Sequence, residues 1–305
     1  MNRILIIALV VFSLKSASAQ QDPQFSQNMF NKLANNPGYA GSESGISTSV
    51  LHRSQWMGFG DDGAAASTQN FSVNSEIPAL NGGVGLNIVK DNIASFSNLG
   101  VQASYAYRTQ LGFGQIGMGM SVGMYQSGLN GGALRPSQSG DPVVPTGDVQ
   151  GSKLDIGAGL YFNNQNMYIG ISSAHMTEPT IEWTDGQNFD LTRHYFLISG
   201  YNYEINSLLS LHPSIYLKHD GSTSQLDVNT NLIYNERLWS GLSYRVDEGI
   251  ILLAGMQVNE DLKFGLAYDL TISNPMSNSL ELMLGYNFKV QTTKSISKYK
   301  NPRFL

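Results

Sequence analysis

The chain has 305 residues, no cysteine, 13% charged residues and a formal net charge of −5. Charge at about half the usual quarter, without the apolar content of a helical membrane protein, argues against an ordinary soluble domain and suits strands with one lipid face and one polar face. The small negative charge gives no basis for nucleic-acid binding, and without disulfides an exported chain of this size must be held by packing or strand closure.

In chain order, residues 1–19 read as a secretory signal. Arg3 supplies the charged start, residues 4–12 the apolar core, and Ala17-Ser18-Ala19 the small-residue cleavage site before Gln20. No later run reaches the roughly 20 apolar residues of a helical span. Residues 20–45 are rich in Gln, Asn and Pro, show no alternation, and are expected to be a periplasmic or plug segment, with Phe25, Met29, Phe30 and Leu33 as the apolar side chains of a plug.

From residue 46 the pattern has period two. Fourteen strands are expected, at 46–55, 65–76, 83–90, 96–110, 115–126, 152–163, 166–175, 192–204, 208–218, 224–234, 238–246, 249–258, 261–272 and 279–289. In the last hairpin Leu262, Phe264, Leu266, Tyr268, Leu270 and Ile272 share one parity, with Lys263, Gly265, Ala267, Asp269 and Thr271 on the other. Runs of about ten residues with aromatic Tyr286 and Phe288 at one end match a tilted strand crossing a bilayer to its interface belt. Even-numbered connections are brief and odd-numbered ones mostly longer, which places both termini in the periplasm. The expected fold is therefore all-β: a transmembrane antiparallel β-barrel over residues 46–289, with a basic periplasmic tail at 290–305. A short soluble extension is the simpler reading of that tail, and contact with an acidic periplasmic partner the less favoured one.

No residue pattern points to chemistry. His52, His175, His194, His212 and His219 have no metal-ligand spacing, and there is no nucleophile elbow or phosphate loop, so no catalytic residue, cofactor or metal is expected. The inward charges Lys153, Asp155, Asp227, Arg245, Asp247, Lys263, Asp269 and Glu281 more readily pair with each other than line a solute path. Inward Gly117, Gly119, Gly157, Gly159 and Gly265 leave space that the N-terminal segment can fill. In the long loops, Trp56 and Phe59, and Trp183 and Phe189, are candidate partner contacts; alternatively they join the interface girdle or fold the loops inward. Residues 127–151, with Pro136, Pro142 and Pro145, read as a mobile, solvent-facing loop.

The segment Gln21-Asp22-Pro23-Gln24-Phe25-Ser26-Gln27-Asn28-Met29-Phe30-Asn31 followed by Asn36-Pro37-Gly38-Tyr39-Ala40-Gly41 closely resembles the start of mature PorP/SprF-type proteins of the type IX secretion system. The likeness continues through Arg53-Ser54-Gln55-Trp56-Met57-Gly58-Phe59, Phe71-Ser72-Val73-Asn74-Ser75, residues 85–89 and residues 102–108. It is dense from 21 to 126 and looser to 289. Lys32 stands where the family usually has proline, and Gly38 where it usually has alanine. The resemblance implies an outer-membrane protein, without enzymatic activity, that supports secretion or surface attachment of an exported protein, in gliding bacteria a motility adhesin. It also implies periplasmic secretion-system partners, including a peptidoglycan-binding lipoprotein. The client's C-terminal domain is the expected ligand, docking at the extracellular rim or in the lumen; an outer-membrane diffusion channel or solute transporter is the alternative.

Overall fold

The computed structural model describes residues 22–57, 66–134, 144–272 and 277–289; the signal segment, Gly58, Phe59 and the basic tail lie outside these. Among the described residues fourteen strands form the wall. They are β1 (Ile46–Gln55), β2 (Ala66–Ile77), β3 (Gly82–Ile93), β4 (Phe96–Leu111), β5 (Gly114–Asn130), β6 (Asp148–Asn163), β7 (Met167–Ala174), β8 (His194–Tyr201, continued by Tyr203–Asn206 after a break at Asn202), β9 (Leu209–His219), β10 (Ser224–Tyr234), β11 (Leu238–Arg245), β12 (Gly249–Gln257), β13 (Leu262–Thr271) and β14 (Ser279–Phe288). Each pairs antiparallel with its sequence neighbour, and β1 closes on β14 from Ile46↔Phe288 to Ser54↔Leu280. Closure pairs the backbone groups that lipid cannot satisfy. Among the described residues no helix is long and apolar enough to cross a membrane.

Side-chain parity follows the expectation. In β13 Phe264, Leu266 and Leu270 are exposed on the outer face while Gly265, Ala267 and Asp269 are buried inside. The connections after odd-numbered strands are mostly the longer ones and make a long-loop rim, and those after even-numbered strands, none longer than four residues, make a short-turn rim. Tight turns serve the latter, as at Asn235 and Glu236, both at positive φ (52° and 54°), the primed geometry that matches strand twist.

Two expectations about the long-loop rim are corrected. Residues 127–130 and 148–151 are not loop but ladder, paired from Ser127↔Gly151 to Asn130↔Asp148. Their Ser and Gly content has low β-propensity, yet packing overrides it. The packing comes from a small hairpin inside the next loop, Thr180–Glu182 against Asn188–Asp190, which lays Ile181, Trp183 and Phe189 against Leu129 and Val149. Trp183 and Phe189 stack on each other with centroids 6.0 Å apart and are 8% and 7% exposed. They form the core of the loop tongue and offer no open face to a partner.

Candidate functional site

Residues 22–41 run through the lumen from the long-loop end to the short-turn end. A run with no alternation cannot join a wall whose faces alternate, but its apolar residues find cover inside. Phe25, Met29, Leu33 and Tyr39 are buried, at about 1.5–3 kcal/mol for each large side chain. Met29, with Phe30 beside it, meets Ile251, Leu253 and Ala267 of the wall. Leu33 and Tyr39 meet Tyr161, Tyr168, Phe196 and Tyr216. The wall makes room with glycine. A Cβ on Gly119 would collide with the Pro37 backbone, one on Gly83 with Gly41, and one on Gly265 with the Gln27 side chain.

Polar groups fix the register. Glu281 accepts from the amides of Ser26 (2.7 Å) and Gln27 (2.8 Å). The Ser26 hydroxyl donates to Asp269 (2.8 Å) and accepts from Arg53 (2.6 Å). Arg53 pairs with Asp269 at 2.6 Å, and Arg245 pairs with Asp227 at 3.0 Å and with Asp269 at 3.3 Å. All five charged residues are buried. Such ions are tolerated because every carboxylate faces a guanidinium and the remaining lone pairs take plug donors. Farther along, Asn31 donates to Asn70 (2.8 Å), which donates to Asn87 (2.7 Å). Asn36 donates to the carbonyl of Leu160 (3.0 Å) and accepts from the Gly38 amide (2.8 Å), capping the turn Pro37–Tyr39.

At the long-loop end Asp22 meets the wall. His175 Nε2 is 2.9 Å from its carboxylate and Lys218 donates to its backbone carbonyl at 2.6 Å. His194 approaches the same carboxylate through Nδ1 at 3.9 Å. Asp22, His175 and His194 bring three potential ligand atoms within 4.8 Å of one another. Above this lies a cavity of about 390 Å3 lined by Asp22, Pro23, Gln24, Arg53, Trp56 and Arg245 among others. A smaller one, about 70 Å3, lies between the plug and the wall near Phe25, Tyr125 and His175.

The residues singled out by the family resemblance thus come together. Asp22, Pro23, Gln24, Phe25, Asn36, Pro37, Tyr39 and Gly41 are plug, Arg53 is a wall anchor that holds the Ser26 hydroxyl, and Trp56, at φ 55°, lines the mouth. Of the inward charges, Asp227, Arg245, Asp269 and Glu281 pair as expected, while Asp155 faces His175 and Lys153 reaches only Glu182 at 4.0 Å. The roles of His175, His194 and Lys218 were not visible in their spacing, because strand pairing alone brings them together. The N-terminal side also departs from expectation: Asp22 lies at the long-loop mouth, whereas Phe288 ends at the short-turn rim.

The family model for the type IX secretion system membrane protein PorP/SprF matches residues 17–286. The chain belongs to this family. No curated protein matches it significantly. Among solved structures, the CymD monoaromatic hydrocarbon channel is similar with a TM-score of 0.52 and 11% identity, over 87% of this chain and 94% of its own. The toluene transporter TbuX of Ralstonia pickettii gives 0.49 and 12% over 84% and 93%, and the translocator domain of the autotransporter NalP from Neisseria meningitidis gives 0.45 and 12% over 86% and 93%. At such identities the likeness to CymD shows an outer-membrane barrel fold alone. In this PorP/SprF protein the lumen of that barrel is occupied by its own N-terminal segment.

Proposed function

We propose that this PorP/SprF protein is a non-enzymatic outer-membrane docking barrel, which supports the secretion or surface attachment of a large exported protein, for example a gliding adhesin, by holding its C-terminal domain at the long-loop face. The observation that carries the reading is the plug. A diffusion channel needs a continuous polar path, whereas here residues 22–41 are rooted in the wall by Glu281, Asp269 and Arg53, and the larger lumen cavity opens at the long-loop mouth around Trp56. A plugged barrel with a built outer mouth suits holding better than conducting. Periplasmic secretion-system components, including a peptidoglycan-binding lipoprotein, are the expected partners at the short-turn rim. A tagged copy isolated in gentle detergent from its own outer membrane tests this by mass spectrometry of what accompanies it. A large exported protein together with a periplasmic lipoprotein is expected. A barrel recovered alone, with reproducible ion conductance in planar bilayers, means a channel instead.

A further inference from the structure

The contact between Asp22 and the wall holds more than an ion pair requires. His175 directly follows β7 and His194 opens β8, and the pairing His194↔Ala174 sets their rings side by side, centroids 5.7 Å apart. Both are buried. Behind each imidazole an acceptor lies close to Nδ1. Nδ1 of His194 is 2.8 Å from the Thr192 carbonyl, which can only accept, so that nitrogen carries the proton and Nε2 keeps its lone pair. Nδ1 of His175 lies 3.0 Å from Asp155 without the geometry of a hydrogen bond, and its Nε2 faces Asp22. A carboxylate or backbone carbonyl behind each histidine is the outer shell that metal-binding imidazoles use. Asp155 is itself 1% exposed, held by Gln102 at 2.6 Å, and its other oxygen has no hydrogen-bond partner among the described residues. That outer shell is more than a surface carboxylate–imidazole pair would need.

We propose that Asp22, His175 and His194 bind one divalent transition-metal ion, zinc by preference, and that the ion staples the outer end of the plug to the barrel wall. Two imidazole nitrogens and one carboxylate are a borderline-soft donor set that suits zinc. In a tetrahedral site with bonds of about 2.1 Å the ligand atoms sit about 3.4 Å apart. The three ligand atoms lie within 4.8 Å of one another, with Nε2 of His175 2.9 Å and Nδ1 of His194 3.9 Å from the Asp22 carboxylate, so a turn of the His194 side chain and small shifts of the others close the site. Little stands in the way. Lys218 holds the Asp22 carbonyl rather than its carboxylate, and Nε2 of His194 is met only by the Asp22 amide at a long 3.4 Å. The ion enters in exchange for the proton shared between His175 and Asp22, and it arrives through the outer cavity, which Asp22 lines. Because one ligand comes from the plug and two from the wall, binding couples directly to plug seating.

The test uses the full mature protein in detergent, stripped of metal and titrated with zinc alone. One equivalent per chain is expected, with affinity falling at least tenfold in His175→Ala and in His194→Ala, and staying unchanged in His52→Ala, whose ring lies on the outer face. Retention of the compact band in unboiled gels shows that each variant still forms the barrel. In the unaltered protein, amide exchange across residues 22–31 should slow when zinc is added, a readout that needs no variant. No stoichiometric uptake, uptake that survives loss of both histidines, or exchange indifferent to zinc overturns the proposal.

Discussion

Glu281 is the single side chain on which the outer half of the plug depends most. It accepts two consecutive plug amides and sits 3.3 Å from Arg53. Glu281→Ala leaves two buried plug amides without their acceptor, at about 1–3 kcal/mol for each orphaned donor, while Arg53 keeps Asp269 at 2.6 Å. The loss falls on plug seating, so amides 22–31 should exchange much faster while the barrel keeps its compact form in unboiled gels. Lys32 acts in the opposite sense. It lies in the lumen with its ammonium 4.3 Å from the Tyr168 ring centroid, and taking an ammonium out of water costs more than one ring face returns. Lys32→Met, which keeps the apolar stem, should therefore seat the plug more firmly than the native residue and slow amide exchange across residues 32–41. Faster exchange in the variant would show that the ammonium helps to hold the plug.

At the scale of elements, plug and wall are fitted to each other by backbone approach. Gly119 lies against Pro37, where any Cβ collides, yet valine at that position is a good strand residue. Gly119→Val should accordingly leave the wall intact and expel the inner half of the plug, giving stepwise conductance in planar bilayers like that of a deletion of residues 22–41. Adding the valine to the deletion should change nothing further, since the plug backbone that its Cβ meets is gone. The wall was legible in the sequence because each strand answers to one rule, a period of two against lipid. The plug was legible in part, through its apolar residues and the inward glycines. One stronger signal was available: Gly249–Met256 is apolar on both parities, and Ile251 and Leu253 are inward and buried against Met29. A barrel strand without a polar face implies something apolar in the lumen. The loop tongue and the Asp22 contact were not legible, because each depends on which residues strand register brings together, and local pattern carries no register between distant segments.

For the whole molecule, the direction of the plug matters most. If the long loops face outward, as in other outer-membrane barrels, then Asp22, held by His175 and Lys218 beside those loops, sits at the outer mouth, and the chain reaches the inner rim only at Gly45, whose neighbour Ile46 pairs with Phe288. The segment therefore spans the membrane thickness inside the barrel, with its beginning and the end of β14 on opposite sides. This makes an asymmetric prediction that neither a periplasmic N-terminal segment nor an inverted barrel shares. An epitope placed immediately before Asp22 should be labelled by antibody on intact cells, and one fused after Leu305 only once the outer membrane is permeabilised. Labelling of both only after permeabilisation would put the plug's outer end in the periplasm and remove the physical link between client docking at the long loops and plug seating. Labelling as expected would mean that any ligand held at the outer mouth touches Asp22, Pro23 and Gln24, and so can feel whether the plug is seated.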